Sequence, residues 1–226
     1  MDTKRLAAEA AVSYIENGMI VGLGTGSTTH WAILKIGERV KEGLQIKAVA
    51  SSDRSENLAR ELGIPIISFS EVEKIDVTID GADEVDKNFN LIKGGGGALL
   101  REKILIYNSK KFYVIVDESK LVDQLGQFPL PIEAIAFASD LTIKHLTNLG
   151  CEAIIRKAED KIYKTDNGNL IVDCHFKTIP DPLKLDHAIR SIPGIVETGL
   201  FQNNLVTSVV VGYKNGNVEV KENHQS

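Results

Sequence analysis

The sequence predicts an α/β protein with a parallel sheet covered by helices and a smaller, ferredoxin-like α+β domain. Three observations carry this. In the first half, short, continuously apolar strands alternate with helical segments, the pattern of a parallel sheet buried on both faces. Near Phe128-Pro-Leu-Pro131 the alternation gives way to the order βαββαβ, which is the ferredoxin-like arrangement. The 226 residues suit one large or two small domains with a real core. The expected division is 1–127, completed by 202–226, and 128–201.

Residues 3–17 read as a helix with Leu6, Ala10 and Tyr14 on one face, stopped by Asn17-Gly18. Met19–Leu23 is a short strand, followed by the turn Gly24-Thr-Gly-Ser-Thr28. A helix starts near Ser27, read as its N-cap, and runs toward Gly43. Ile46–Ala50 is a strand, and Glu56–Leu62 a helix closed by Gly63 and Pro65. Ile75–Ile79 is a strand ending at Asp80, Ala98–Asn108 a helix, and Lys111–Val116 a strand ending at Asp117.

In the second half the expected elements are strand Ile132–Phe137, helix Asp140–Leu149 and strands Cys151–Arg156 and Leu170–Phe176. Helix Pro182–Ser191 and a strand around Ile195–Leu200 follow. Asp166-Asn-Gly168 is a hairpin turn. Leu205–Val211 and Val218–Val220 form a last hairpin around Asn215-Gly216, assigned to the first domain.

A net charge of -5 and the lack of a Lys/Arg tract argue against nucleic acid as a partner. No apolar run reaches membrane-spanning length, and the N-terminus has no signal-type segment, so the expected compartment is the cytoplasm. Cys151 and Cys174 read as reduced, partly buried thiols, with a disulfide left open by spacing alone. The five histidines form no ligand pair, so no metal is expected.

The chemistry-bearing residues cluster at strand ends. Gly22-Leu-Gly-Thr-Gly-Ser27 departs from a dinucleotide fingerprint at Ser27 and is not a P-loop. The hydroxyls of Thr25, Ser27, Thr28 and Thr29 at a helix N-terminus suit a single phosphate, although a plain tight turn has similar weight. Ser51-Ser-Asp-Arg54 reads as a helix cap and solvated turn. Asp80 and Asp83 follow a strand at its carboxyl end, where parallel sheets place ligands; Glu84 and Asp86 read as solvated turn charges. Lys93 precedes four consecutive glycines, and Glu102 lies early in the next helix. Four glycines in a row are conformationally costly and allow close backbone approach to a ligand. Lys120, after another strand end, shares the rim with Asp80 and Thr25. Asp80, Asp83, Lys93 and Glu102 are each better read alone as a cap or surface charge, and Lys120 stands evenly between a surface lysine and a substrate cation. Their joint occurrence favours a small anionic substrate.

The segments Gly24-Thr-Gly-Ser-Thr28, Asp80-Gly-Ala-Asp83, Lys93-Gly-Gly-Gly96, Arg101-Glu-Lys103 and Asp117-Glu-Ser-Lys120 resemble the signatures of ribose-5-phosphate isomerase, type A. Gly126–Pro131 and Gly194–Phe201 are also similar to that family, and the match runs in order over nearly the whole chain. Gly97, where some members have alanine, is a mild variation. The resemblance implies interconversion of ribose 5-phosphate and ribulose 5-phosphate, no metal or organic cofactor, a Rossmann-like main domain, and a homodimer or homotetramer. It makes Glu102 the catalytic base. It makes Thr25, Gly26, Ser27, Thr28, Asp80, Gly81, Ala82, Asp83, Lys93, Gly94, Gly95, Gly96 and Lys120 the substrate-binding residues.

Aldose–ketose isomerisation moves a proton between C2 and C1 through an enediol or enediolate. Glu102 suits that transfer, and Lys93 with backbone N–H groups suits the developing oxyanion. Asp80 and Asp83 suit the hydroxyl protons. A coenzyme A transferase, which uses a glutamate as nucleophile on a related fold, would need a coenzyme-sized groove. A sugar-phosphate sensor would need a DNA-binding segment, and none is left over.

Overall fold

The computed structural model describes residues 2–224. The chain begins with α1 (Thr3–Val12), β1 (Ile20–Leu23), α2 (Ser27–Lys41), β2 (Lys47–Ala50), α3 (Asp53–Glu61) and β3 (Ile75–Gly81). It continues with β4 (Glu84–Asp86), β5 (Leu91–Ile92), α4 (Leu99–Tyr107), β6 (Ser109–Asp117), β7 (Leu121–Val122) and β8 (Leu130–Ala134). Then come α5 (Ser139–Thr147), β9 (Glu152–Ile155), β10 (Lys157–Ala158), β11 (Lys161–Ile162), β12 (Leu170–His175) and α6 (Pro182–Arg190). The last elements are β13 (Ile195–Thr198), β14 (Leu200–Phe201), β15 (Ser208–Gly212) and β16 (Val218–Glu222).

Two compact units result: 1–82 with 101–120 and 203–226, and 83–100 with 121–202. The cut differs from the expected domains at 83–100, 121–127 and 202, which cluster with the second unit. These stretches carry β4, β5 and β7, which pair with one another and with β14. Strands of two or three residues are too short to show a period in sequence.

The first unit holds a six-stranded sheet in the order β16-β15-β6-β3-β1-β2. All neighbours are parallel except the edge strand β16. The five parallel strands therefore follow the doubly wound order 2-1-3-4-5, with the switch point between β1 and β3. The final hairpin joins this sheet, as expected. Ala7, Ala8, Ala11 and Val12 of α1 are buried in the main core with Ile33 and Ile36 of α2 and Val21, Val77 and Ile115 of the sheet. Val49, opposite in the pleat to Ala48 and Ala50, packs instead with Ile75 and Leu105 of α4. The first helix is shorter than expected. Ser13 turns its hydroxyl back to the Ala10 carbonyl (2.6 Å), a local bond that competes with helix continuation.

The second unit contains the antiparallel sheet β13-β8-β12-β9, the βαββαβ set realised by β8-α5-β9-β12-α6-β13. Leu130, Ile132, Leu146, Val172 and Ile189 form its core, together with Cys151 and Cys174, both free thiols. The Asp166-Asn-Gly168 turn is present, with the Gly168 N–H on the Thr165 carbonyl at 2.8 Å. The β10–β11 hairpin intervenes between β9 and that turn. Among the described residues no helix is long and apolar enough to cross a membrane.

Glu84 is not a solvated turn charge. It is 3% exposed and accepts the N–H groups of Gly126 (2.7 Å) and Phe128 (2.6 Å). Asp86 accepts from the N–H groups of Asn88 and Asn90 and shapes a turn. Glu84→Ala strands one buried and one half-buried donor. It is expected to lower the unfolding free energy by about 2–4 kcal/mol in urea titrations, with Glu84→Gln losing less.

Candidate functional site

The candidate residues of the first unit gather around the switch point. β1 ends at Leu23, β3 carries Asp80 beside it, and the Gly24 N–H bonds the Ile79 carbonyl at 3.1 Å. Asp80 is fully buried, a costly place for a carboxylate unless donors surround it. Its Oδ1 accepts from the Thr25 N–H (3.0 Å), the Thr29 hydroxyl (3.1 Å) and the Gly81 N–H (2.8 Å). A side chain at Gly24 would overlap the Asp80 carboxylate, so glycine is required there. Gly26 is the actual N-cap of α2, at φ 126°, and Ser27 is the first helical residue. The backbone needs positive φ at that point, which glycine takes without strain.

Gly26 offers no side-chain cap, so the first turn of α2 presents its N–H groups outward. Ser27 is exposed and Thr28 half-buried there. The Lys4 ammonium donates to Ser27 Oγ at 3.0 Å, which puts a cation at the same helix end. The Thr25 hydroxyl is tied to Ser51 (2.7 Å) and Ser52 (2.8 Å), both buried, and Ser52 caps α3. Thr29 bonds Asp80, so of the four expected phosphate hydroxyls only those of Ser27 and Thr28 stay toward the helix end. Glu102 sits in the first turn of α4 and is 2% exposed. Its neighbour Arg101 pairs with Asp53 at 2.7 Å. Lys120 is half-buried in the short turn after β6, the strand next to β3.

The chain passes into the second unit between Ala82 and Asp83, and this unit carries Asp83, Lys93 and the glycine run. Asp83 Oδ2 accepts the Gly95 N–H at 2.8 Å. Lys93 is 2% exposed, and its ammonium lies 5.5 Å from the centre of the Phe201 ring. The Lys93 N–H donates to the Gly199 carbonyl at 2.9 Å. The glycine run is held from behind. Arg156 Nη1 donates to the carbonyls of Gly94 and Gly95, each at 3.0 Å, and Tyr163 Oη to that of Gly96 at 3.4 Å. Burial first, then Asp166, pushes the Tyr163 phenol up, which keeps it a donor.

Lys4, Arg156, Tyr163 and Asp173 carried no motif in the sequence. Lys4 is on α1 and touches Ser27 only through tertiary folding. Arg156 and Tyr163 lie more than fifty residues from the glycines they hold. Among the described residues no cluster of three or more His, Cys, Asp or Glu side chains could hold a metal ion.

A doubly wound sheet whose strand order turns between β1 and β3, with the buried Asp80 near the end of β3, defines the class: an open α/β protein. Residues 47–216 match the model of the family "Ribose 5-phosphate isomerase A (phosphoriboisomerase A)". The chain is 51% identical over 217 residues to ribose-5-phosphate isomerase A of Bacillus mycoides (strain KBAB4), covering 96% of this chain and 98% of that one. It superposes on ribose 5-phosphate isomerase A from Methanocaldococcus jannaschii with a TM-score of 0.92, at 42% identity and 98% coverage of both. A D-ribose-5-phosphate isomerase in complex with phospho-erythronic acid matches with a TM-score of 0.93, at 44% identity and 98% coverage of both. The chain belongs to the ribose 5-phosphate isomerase A family.

Thr29→Val keeps the volume and removes one donor to the buried Asp80. It should lower the unfolding free energy by about 1.5–3 kcal/mol. Gly24→Ala should cost about 1–3 kcal/mol by overpacking the same carboxylate. Urea denaturation of both variants checks this, and parent-like midpoints would remove Asp80 from the role of organising the turn.

Proposed function

We propose that the chain interconverts D-ribose 5-phosphate and D-ribulose 5-phosphate through an enediol(ate), with Glu102 as the proton-transfer base. The observation that carries this is the burial of Glu102 at the head of α4, just past the glycine run of a chain in this family. A carboxylate shielded from water in a helix's first turn is fixed in place and can return a proton before it is lost.

The phosphate binds at the first turn of α2, through backbone N–H groups, Ser27, Thr28 and the nearby Lys4. That anchoring aligns the far end of the sugar. Glu102 takes the proton from C2, a C1–C2 double bond forms, and O1 receives a proton. O2 then gives up its proton, the C2 carbonyl forms, and Glu102 delivers its proton to C1. Lys93 and the glycine N–H groups stabilise the developing oxyanion. Asp80 and Asp83 orient the hydroxyl protons, and Lys120 adds a second cation on the strand-end rim. A related isomerase is recorded with phospho-erythronic acid. That four-carbon acid has a planar anionic carboxylate, the shape and charge of a cis-enediolate, which supports this reading. The protein would act in the cytoplasm as a homodimer or homotetramer, without metal or organic cofactor.

A ribose 5-phosphate isomerase assay on the purified protein is the direct test, and unphosphorylated ribose should be a very poor substrate. Glu102→Gln should fold normally and lose about 10²–10⁴-fold in turnover; near-normal turnover would remove Glu102 from the mechanism. Activity should survive exhaustive chelation, and a loss reversed by one divalent ion would refute the metal-free scheme. Substrate deuterated at C2 should give partial label at C1 of the ketose. Complete retention with no uptake from deuterated water would indicate a hydride shift instead.

A further inference from the structure

Arg156 follows β9, and its backbone is locked into the β9–β12 ladder. Its N–H donates to Ile171 at 2.8 Å and its carbonyl accepts from Tyr163 at 2.9 Å. The side chain is only 16% exposed. A guanidinium carries five N–H donors in a rigid fork, and four of them have identified acceptors. Nε and Nη2 grip the two oxygens of Asp173 at 2.9 and 2.6 Å. Nη1 reaches the carbonyls of Gly94 and Gly95, both at 3.0 Å. The Tyr163 ring lies 5.9 Å from the guanidinium carbon.

This fixes the orientation of two peptide planes. The carbonyl and N–H of one peptide point in opposite directions. Drawing the Gly94 carbonyl onto Arg156 turns the Gly95 N–H away, and that N–H is found on Asp83 at 2.8 Å. Drawing the Gly95 carbonyl onto Arg156 likewise turns the Gly96 N–H to the far side. Gly96 is exposed, and its N–H has no acceptor among the described residues. A run of four glycines has too much conformational freedom to hold such a geometry by itself.

We propose that Arg156, held by Asp173, is a positioning residue that locks the Gly94–Gly96 peptides so that the Gly96 N–H stands ready for the anionic oxygen developing on the sugar phosphate. This rests on the isomerase reading above. A lysine cannot replace the fork, because one ammonium cannot hold a carboxylate bidentately and reach two carbonyls. Preorganised donors act mainly on the charged transition state, so the effect should fall on turnover rather than on ground-state binding.

The test uses Arg156→Lys and Asp173→Asn in the full chain. For each, kcat and KM for ribose 5-phosphate are measured, with the dissociation constants of phospho-erythronic acid and of ribitol 5-phosphate. The first ligand carries a carboxylate where the oxyanion develops, and the second is phosphorylated but has no such charge. The expected result is a kcat lower by about 10- to 100-fold with KM changed less than about threefold. Phospho-erythronic acid should bind at least about tenfold more weakly, and ribitol 5-phosphate within about twofold of the parent. Equal weakening of both ligands, or parent-like kcat in both variants, would overturn the proposal. So would failure of both variants to fold, since the pair would then serve the sheet and not the loop. If the parent itself does not isomerise ribose 5-phosphate, it is the functional reading that falls.

Discussion

A carboxylate with no exposure to water sits where the doubly wound sheet reverses direction, and much of the first unit is arranged around it. Asp80 can stay buried because Oδ1 accepts from two backbone N–H groups and one hydroxyl. Those donors come from three places: the turn after β1, the first turn of α2, and β3 itself. The carboxylate thus ties a strand to the start of the helix that follows its neighbour. An uncompensated buried charge costs several kcal/mol, so the turn has little freedom to adopt another shape. The absent side chain at Gly24 and the positive φ at Gly26 are consequences of that packing. With the turn fixed, the first N–H groups of α2 have one direction in which to point. The geometry of that helix end is therefore set by the fold itself.

The second unit reaches the same end with different chemistry. The glycine run has no side chains of its own. Its carbonyls are drawn back by Arg156 and Tyr163, and one N–H is drawn forward by Asp83. Arg156 is in turn held by Asp173, from the neighbouring strand of the antiparallel sheet. Rigidity that belongs to the sheet passes to the loop through one planar side chain. Preorganisation of this kind is worth most where charge develops during a reaction, because no reorganisation is then needed.

Much of this was legible in the sequence, for identifiable reasons. Buried parallel strands such as Val209–Val211 and Val114–Val116 are continuously apolar, and each is closed by a glycine or an acid. The βαββαβ order of the smaller sheet followed from element lengths and one Asp-Asn-Gly turn. The strand-end residues were visible because several acids, a lysine and many glycines share one stretch. What could not be read depends on contacts across long separations. Ser27 is an ordinary cap by composition, yet the N-cap is Gly26, because packing against β3 forces the turn one residue back. Glu84 resembles a solvated charge until residues 126–128 fold onto it. Short strands such as β5 and β14 have no period to detect, and with them went the boundary between the two units.

Lys93 shows how such separations make chemistry. Its local sequence says only that a lysine follows two apolar residues. The structure pairs β5 with β14, so Leu91 faces Phe201 and Ile92 faces Leu200. One residue beyond that ladder, the Lys93 N–H takes the Gly199 carbonyl, and a side chain at Gly199 would overlap the Lys93 carbonyl. Close approach is thus a condition of the pairing. The same pairing brings the Phe201 ring beneath the ammonium, an apolar surface that still favours a cation through its quadrupole. The Gly199-Leu-Phe201 stretch after β13 therefore has a physical reason for its composition. Glycine admits the backbone, leucine fills the core, and phenylalanine seats the lysine. A cation fixed in this way and screened from water acts on nearby charge more strongly than an exposed one would.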